Sequence, residues 1–186
     1  MEKIRRCPWC GDDPLYMAYH DEEWGKPIYD DKRLFEFLVL ESAQAGLSWI
    51  TILRRREGYR KLFADFEVTQ VASFTDSDVE RLVQDTSIIR HRGKIIAAIK
   101  NAQLFIDIQN EFGSFHTYLY SFMPNQSAIH NDVQDINDIA TRSTESDAIA
   151  NDMKKRGFKF FGTTICYAYM QAVGMVNDHL NNCTFK

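Results

Sequence analysis

This sequence predicts an all-α fold, and three observations carry that reading. Apolar positions recur at helical spacing through most of the chain, as in the register Leu34, Leu38, Glu41, Ala45. Clusters of Asp, Ser and Thr open these segments, and Gly46, Gly113 and Gly174 close them. No stretch alternates apolar and polar residues as a strand would, and no internal repeat or low-complexity tract appears. With 186 residues, 45% of them hydrophobic, the chain can bury a core as one domain or two small lobes.

The elements follow in order. Asp30 and Asp31 cap a helix over 32–45 that stops at Gly46. Ser48 or Thr51 opens a second helix, running through the arginine cluster toward Phe63. Residues 75–84, TDSDVERLVQ, begin with a cap cluster and form a short helix. A long amphipathic helix covers 91–112, and an aromatic one covers 114–122. The polar stretch 124–146 is weakly periodic and reads as a loop or lobe connection. Helices over 147–156 and 163–173 complete the chain.

Composition narrows the function classes. No apolar run approaches the roughly 20 residues that span a bilayer. MEKIRRCPWCGDDP has positive charge but no apolar stretch behind it, so no secretory leader is expected, and the four cysteines are placed in the reducing cytoplasm. A net charge of −4 argues against a general polyanion binder. Basic residues nevertheless gather at Arg54, Arg55, Arg56, Arg60 and Lys61, at Arg90, His91, Arg92 and Lys94, and at Lys154, Lys155, Arg156 and Lys159. Each group is either a solvated helix face or a place to meet phosphates.

The third group flanks KKRGFKFFGTTICYAYMQAVG, which reads as helix, glycine-bounded turn, helix. Gly157 closes the first helix, Gly162 is free to take a positive φ, and Thr163 and Thr164 cap the second. The N–H groups at such a helix start bind a phosphate irrespective of base sequence. Lys159 stands beside them.

Two further groups point to chemistry. Trp9, Tyr16, Tyr19, Trp24, Tyr29 and Trp49 crowd the N-terminal region, and stacked aromatics bind flat, especially cationic, rings. Glu41 puts a carboxylate into an apolar stripe, where it must find a partner inside the fold or recognise a ligand, whereas Glu36 can lie on a solvated side. Soft ligands occupy both chain ends: Cys7, Cys10 and His20 at one, His179 and Cys183, one helical turn apart, at the other. A single structural zinc could tie them. Spacing alone favours Cys7, Cys10, His179 and Cys183 as its ligands.

CPWCGDDPLYMAYHDEEWG, LESAQAGLSWITIL, IIRHRGKI, KKRGFKFFGTTICYAYMQAVG and the closing VNDH with Cys183 together resemble the bacterial 3-methyladenine DNA glycosylase I family. The likeness runs in order through nearly the whole chain and is weakest over 124–146. It implies a helix-hairpin-helix glycosylase over residues 1–186, with a lesion held between two helical lobes and the termini tied by zinc. The implied ligands are Cys7, His20, His179 and Cys183, without Cys10. Trp9, Tyr16, Tyr19 and Trp49 are implied to line the base pocket with Trp24 in support, Glu41 to recognise the methylated adenine and serve catalysis, and Gly162, Thr163 and Lys159 to grip DNA. The expected substrate is double-stranded DNA carrying alkylated bases, and the expected state a monomer.

In the wider superfamily an aspartate after the hairpin often assists. Asp178, next to His179, better fits a supporting or capping role. The hairpin has Phe160 where a glycine is common. No lysine is placed to form a Schiff base, so base release without strand cleavage is expected. Two other readings compete: a helix-hairpin-helix DNA-binding protein without catalysis, which would need neither Glu41 nor the aromatic set, and a zinc hydrolase. Four protein ligands would close the metal's shell and leave such a hydrolase no water position.

Overall fold

The computed structural model describes residues 4–186, so the first three residues of the charged N-terminal stretch lie outside it. Ten α-helices are found among the described residues. Helix α1 spans Pro14–Glu22, with Asp13 accepting from the N–H groups of Leu15 and Tyr16 and Pro14 at the first position. That cap was present in the sequence as Asp-Pro, yet no helix was expected there. Helix α2, Asp31–Gln44, keeps its expected bounds, with Asp30 as cap. The expected helix over the arginines is two, α3 (Trp49–Leu53) and α4 (Arg56–Leu62), broken where Arg55 takes φ −107° and ψ 0°. Helices α5 (Val68–Ala72) and α6 (Asp76–Gln84) follow, the latter closed at its start by a Thr75/Asp78 capping box. Helices α7 (Arg92–Phe112) and α8 (Phe115–Tyr120) fall where the pattern put them. Helices α9 (Thr144–Arg156) and α10 (Thr163–Ala172) pack against each other across a short turn.

The all-α expectation needs one amendment. Ile129–His130 (β1) and Val176–Asn177 (β2) pair as a short parallel ladder that fastens the polar stretch to the C-terminal segment. Two-residue strands leave too little alternation to be read in a sequence.

Helix α2 is the centre of the molecule. Helices α3, α4, α7, α8 and α10 all pack on it, and every residue from Leu34 to Ala43 is buried. Tyr169 donates to the Leu34 carbonyl at 3.1 Å and fixes α10 against it. The segment after α1 lies across the end of α10 through Gly25 N–H to Gln171 and Ile28 N–H to Val173. Gly174, at φ +70°, allows this approach: a Cβ there would sit 2.1 Å from the Lys26 carbonyl carbon. The ends of the described chain meet, with Arg5 N–H bonded to Thr184 Oγ1 and Thr184 N–H to the Arg5 carbonyl, both at 2.9 Å.

Candidate active site and adjoining metal centre

Helix α1 serves two neighbouring sites. Tyr16 and Tyr19 face one cavity while His20, the next residue, turns into a cluster of soft ligands. The cavity, of about 210 Å³, is lined by Trp9, Tyr16, Tyr19, Trp24, Glu41, Gln44, Trp49, Ile139, Ala168 and Gln171. Trp9 lies 5.1 Å from Tyr16 and 4.8 Å from Trp24, and Tyr19 lies 5.4 Å from Trp49, all between ring centroids. Behind them Phe37 stacks on Trp49. All five expected aromatics, Trp24 included, therefore line one wall system, whereas Tyr29 lies exposed elsewhere beside His116. Burial raises the phenols of Tyr16 and Tyr19 above their usual range and keeps them protonated.

Glu41 leaves the last turn of α2 into this cavity. It is 3% exposed, its Oε2 has no hydrogen-bond partner among the described residues, and burial pushes its pKa up to about 8. The indole N–H groups of Trp9 and Trp49 are likewise buried without acceptors. Buried polar atoms are nearly always bonded, and leaving one unpaired costs about 1–3 kcal/mol. All three belong to residues that line the cavity, so its wall holds unmet hydrogen-bonding capacity.

Gln44, Gln171, Ile139 and Ala168 were not singled out from the sequence. Ile139 comes from the polar stretch, where one apolar residue gives no signal. Gln171 is oriented by Asp178, which accepts from Gln171 Nε2 at 2.7 Å, Tyr167 OH at 2.8 Å and Asn131 Nδ2 at 2.7 Å. Both oxygens of Asp178 are thus engaged by protein donors, in keeping with the supporting role expected for it.

The sulfur and imidazole ligands of Cys7, His20, His179 and Cys183 are buried, with ligand atoms all within 4.8 Å of one another. This group can hold a metal ion. Cys10 is not in it, its Sγ bonding instead to the Cys7 carbonyl at 3.2 Å. The spacing-based choice of Cys10 is corrected, because α1 returns His20 over Cys7 while Cys10 turns away. His179 and Cys183 flank a turn, with Cys183 N–H bonded to the Leu180 carbonyl, so their spacing of one helical turn is not that of a helix. Outer partners set both imidazoles. His20 Nδ1 meets Asp21 at 2.8 Å, itself held by Arg6, and His179 Nε2 meets the Trp24 carbonyl at 3.0 Å. Nε2 of His20, which also accepts from the Cys7 N–H at 3.2 Å, and Nδ1 of His179 face the Cys183 sulfur. Burial lowers His179 to about 4, so its ring is neutral, as a metal ligand must be.

The turn between α9 and α10 departs from its expected geometry. Gly157 is left-handed at φ +107°, but Gly162 sits at φ −78° and the other left-handed residue is Phe160 at φ +54°. Gly162 is the N-cap of α10, with no atom within 4 Å of where its Cβ would be. Thr163 does not cap: its hydroxyl donates to Asp147 at 2.5 Å. Lys159, Gly162 and Thr163 do line one surface hollow, together with Lys154 and Arg142. The first basic cluster is mostly consumed inside the protein. Arg54 bonds Asp13, Arg56 bonds Glu23 and Glu36, and Arg60 bonds Glu36 and Glu57.

The family model described as methyladenine glycosylase matches residues 9–186. The chain belongs to that family. Among its relatives, DNA-3-methyladenine glycosylase 1 of Escherichia coli strain K12 is 50% identical, covering 97% of this chain and 96% of its own length. The DNA-3-methyladenine glycosylase of Haemophilus influenzae is 45% identical, covering 97% of each. A crystal structure of a variant 3-methyladenine DNA glycosylase I in complex with 3-methyladenine superposes with a TM-score of 0.94 at 37% identity, covering 98% of both chains. No helix among the described residues of this family member is long and apolar enough to cross a membrane.

Proposed function

We propose that this methyladenine glycosylase family member is a DNA repair enzyme that hydrolyses the N-glycosidic bond of 3-methyladenine, releasing the free base. The observation that carries the site assignment is the unpaired, buried Glu41 in an aromatic cavity. Methylation at the ring nitrogen makes the base cationic and its glycosidic bond weak, so the site need not supply a strong acid. Double-stranded DNA gives up the damaged nucleotide by flipping, at a cost of a few kcal/mol. Trp9, Tyr16, Tyr19 and Trp49 present π faces to the cation, and Glu41 accepts from the edge of the base. A cation arriving beside Glu41 favours its ionised form, which reverses the effect of burial. The base departs with the electron pair of the glycosidic bond, the sugar stays in the strand as an oxocarbenium-like species, and water adds to it with loss of a proton to leave an abasic site. Among the described lining residues Glu41 is the one carboxylate and there is no lysine; the reading is of a monofunctional enzyme.

The same reading makes α9 and α10 a helix-hairpin-helix grip. Lys159, Gly162 and the α10 N-terminus at Thr163 would receive a backbone phosphate, supported by the open space at Gly162. The ligand group fits structural zinc. A tetrahedral zinc with bonds of about 2.3 Å to sulfur and 2.0–2.1 Å to nitrogen sets neighbouring S and N atoms about 3.5 Å apart. The Sγ-to-N separations here are 3.6 Å for Cys7–His179, 3.6 Å for Cys183–His20 and 3.4 Å for Cys183–His179. Cys7, His20, His179 and Cys183 would close its shell, so its role is to tie two helical lobes through their end segments. A chelator should therefore lower Tm by several degrees, with activity following the folded fraction; activity lost from fully folded protein would contradict a structural role. The protein is placed as a monomer in the cytoplasm, where thiolate ligands stay reduced.

The deciding experiment is release of free base from methylated duplex DNA by the wild type and Glu41→Gln. Excision should fall by about 10²–10³-fold in the variant, the scale on which one preorganised electrostatic group contributes. A folded wild type that binds DNA and releases no base would overturn the reading and leave a non-catalytic DNA-binding protein.

A further inference from the structure

The first turns of α7 touch both parts of the DNA path proposed above. On one side His91, the N-cap of α7, lies edge-on to Phe160 with 6.0 Å between ring centroids. Nearly three turns later Asn101 holds the same loop, bonding the N–H and C=O of Lys159 at 3.0 Å each. On the other side Lys94 reaches α2. Its Nζ donates to the carbonyls of Ala43 and Ala45 at 2.8 and 2.6 Å.

Carbonyls at a helix end lack partners within the helix, and α2 carries no basic residue in its own last turn. Lys94 therefore supplies from another element both the hydrogen bonds and the positive charge that a helix C-terminus favours. The chain then makes a sharp turn through Gly46, at φ +80° with open space around it, before α3 starts at Trp49. Gln44 and Trp49, on either side of that turn, both line the cavity, and Glu41 precedes them on the same last turn of α2. Lys94 itself lines neither the cavity nor the hairpin hollow.

We infer that Lys94 is a positioning residue, linking the hairpin loop at residues 159–160 through α7 to the turn that sets Gln44 and Trp49 against the base. The inference rests on the glycosylase reading. It requires that excision, but not DNA binding, depend on the Lys94 ammonium. Methionine keeps the length of the side chain and removes its donors, and arginine keeps donors for both carbonyls.

The test compares wild type, Lys94→Met and Lys94→Arg by single-turnover release of base at saturating methylated DNA, by DNA affinity across salt concentration, and by thermal unfolding. Lys94→Met should slow release by about 10- to 100-fold, the cost of a small misplacement of groups around the reacting centre. Its DNA affinity and salt dependence should match the wild type, and Lys94→Arg should restore most of the rate. A wild-type rate in Lys94→Met would overturn the inference. So would a loss that follows the folded fraction, or one that arginine does not rescue. If the wild type itself releases no base, the glycosylase reading fails first and this inference falls with it.

Discussion

Two carboxylates leave helix α2 with almost the same burial, Glu36 at 2% exposure and Glu41 at 3%, and meet opposite surroundings. Glu36 accepts from Arg56 Nε at 2.7 Å and Arg60 at 3.0 Å, with Arg33 at 3.5 Å. Arg56 in turn forks onto Glu23 at 2.7 and 2.8 Å, and its guanidinium lies over the Phe37 ring. Among the described residues Glu41 has no cation near it and one of its oxygens has no partner. The same residue type on the same helix is thus a structural tie at one end and a vacant acceptor at the other. Burial of a charge therefore does not identify a functional group, but burial without compensation does.

Three experiments would break or sharpen that contrast. The largest effect is expected from Glu36→Ala, which leaves Arg56 partly uncompensated in the interior. It should cost about 3–5 kcal/mol of unfolding free energy by denaturant titration, while excision per folded molecule is kept. Loss of excision in a stably folded variant would erase the distinction between the two ends.

The second effect is a pH dependence of stability peculiar to Glu41. Its carboxyl ionises near 4.5 when unperturbed and near 8 in the fold. Between those values the native state holds a proton that the unfolded chain has released. The contribution to stability is fully present below about 4.5 and is lost as pH rises through about 8. Glu41→Gln cannot ionise, so its stability relative to wild type should climb across that window by up to about 1.4 kcal/mol per pH unit. A flat difference would mean that Glu41 already has a partner.

The smallest effect is expected from Arg56→Lys, which keeps the charge but loses the fork onto Glu23 and the contact with Glu36. A cost of about 1–2 kcal/mol is expected in the same titration, that of one or two charge-assisted hydrogen bonds. A neutral result would show that Arg33 and Arg60 suffice to hold that end.

The sequence made Glu41 legible and Glu36 not, for a physical reason. Helical spacing reports which residues share a face, so a carboxylate in an apolar stripe stands out. It cannot report that a helix will be covered on every side, as α2 is by α3, α4, α7, α8 and α10. Two of the three arginines at Glu36, Arg56 and Arg60, arrive from α4, and their positions follow from a break at Arg55 that local pattern does not encode. The same limit explains Gln171 and Ile139, which reach the cavity only through packing. Phe160 shows a different limit: the left-handed turn position expected at Gly162 falls at Phe160, which packs near His91 and follows Lys159, the residue that Asn101 holds. Caps and glycine stops, by contrast, are local, and the bounds of α2, α6, α7 and α10 were read from them to within about two residues.

The meeting of Arg5 with Thr184, next to Cys7 and Cys183, has a mechanical consequence. Tension applied between the two ends would pass through this clasp and bypass everything between. A molecule held in an optical trap by its ends should show no gradual lengthening. It should resist until the clasp ruptures, then release its contour in steps, with a rupture force that falls when Cys7 or Cys183 is replaced by serine.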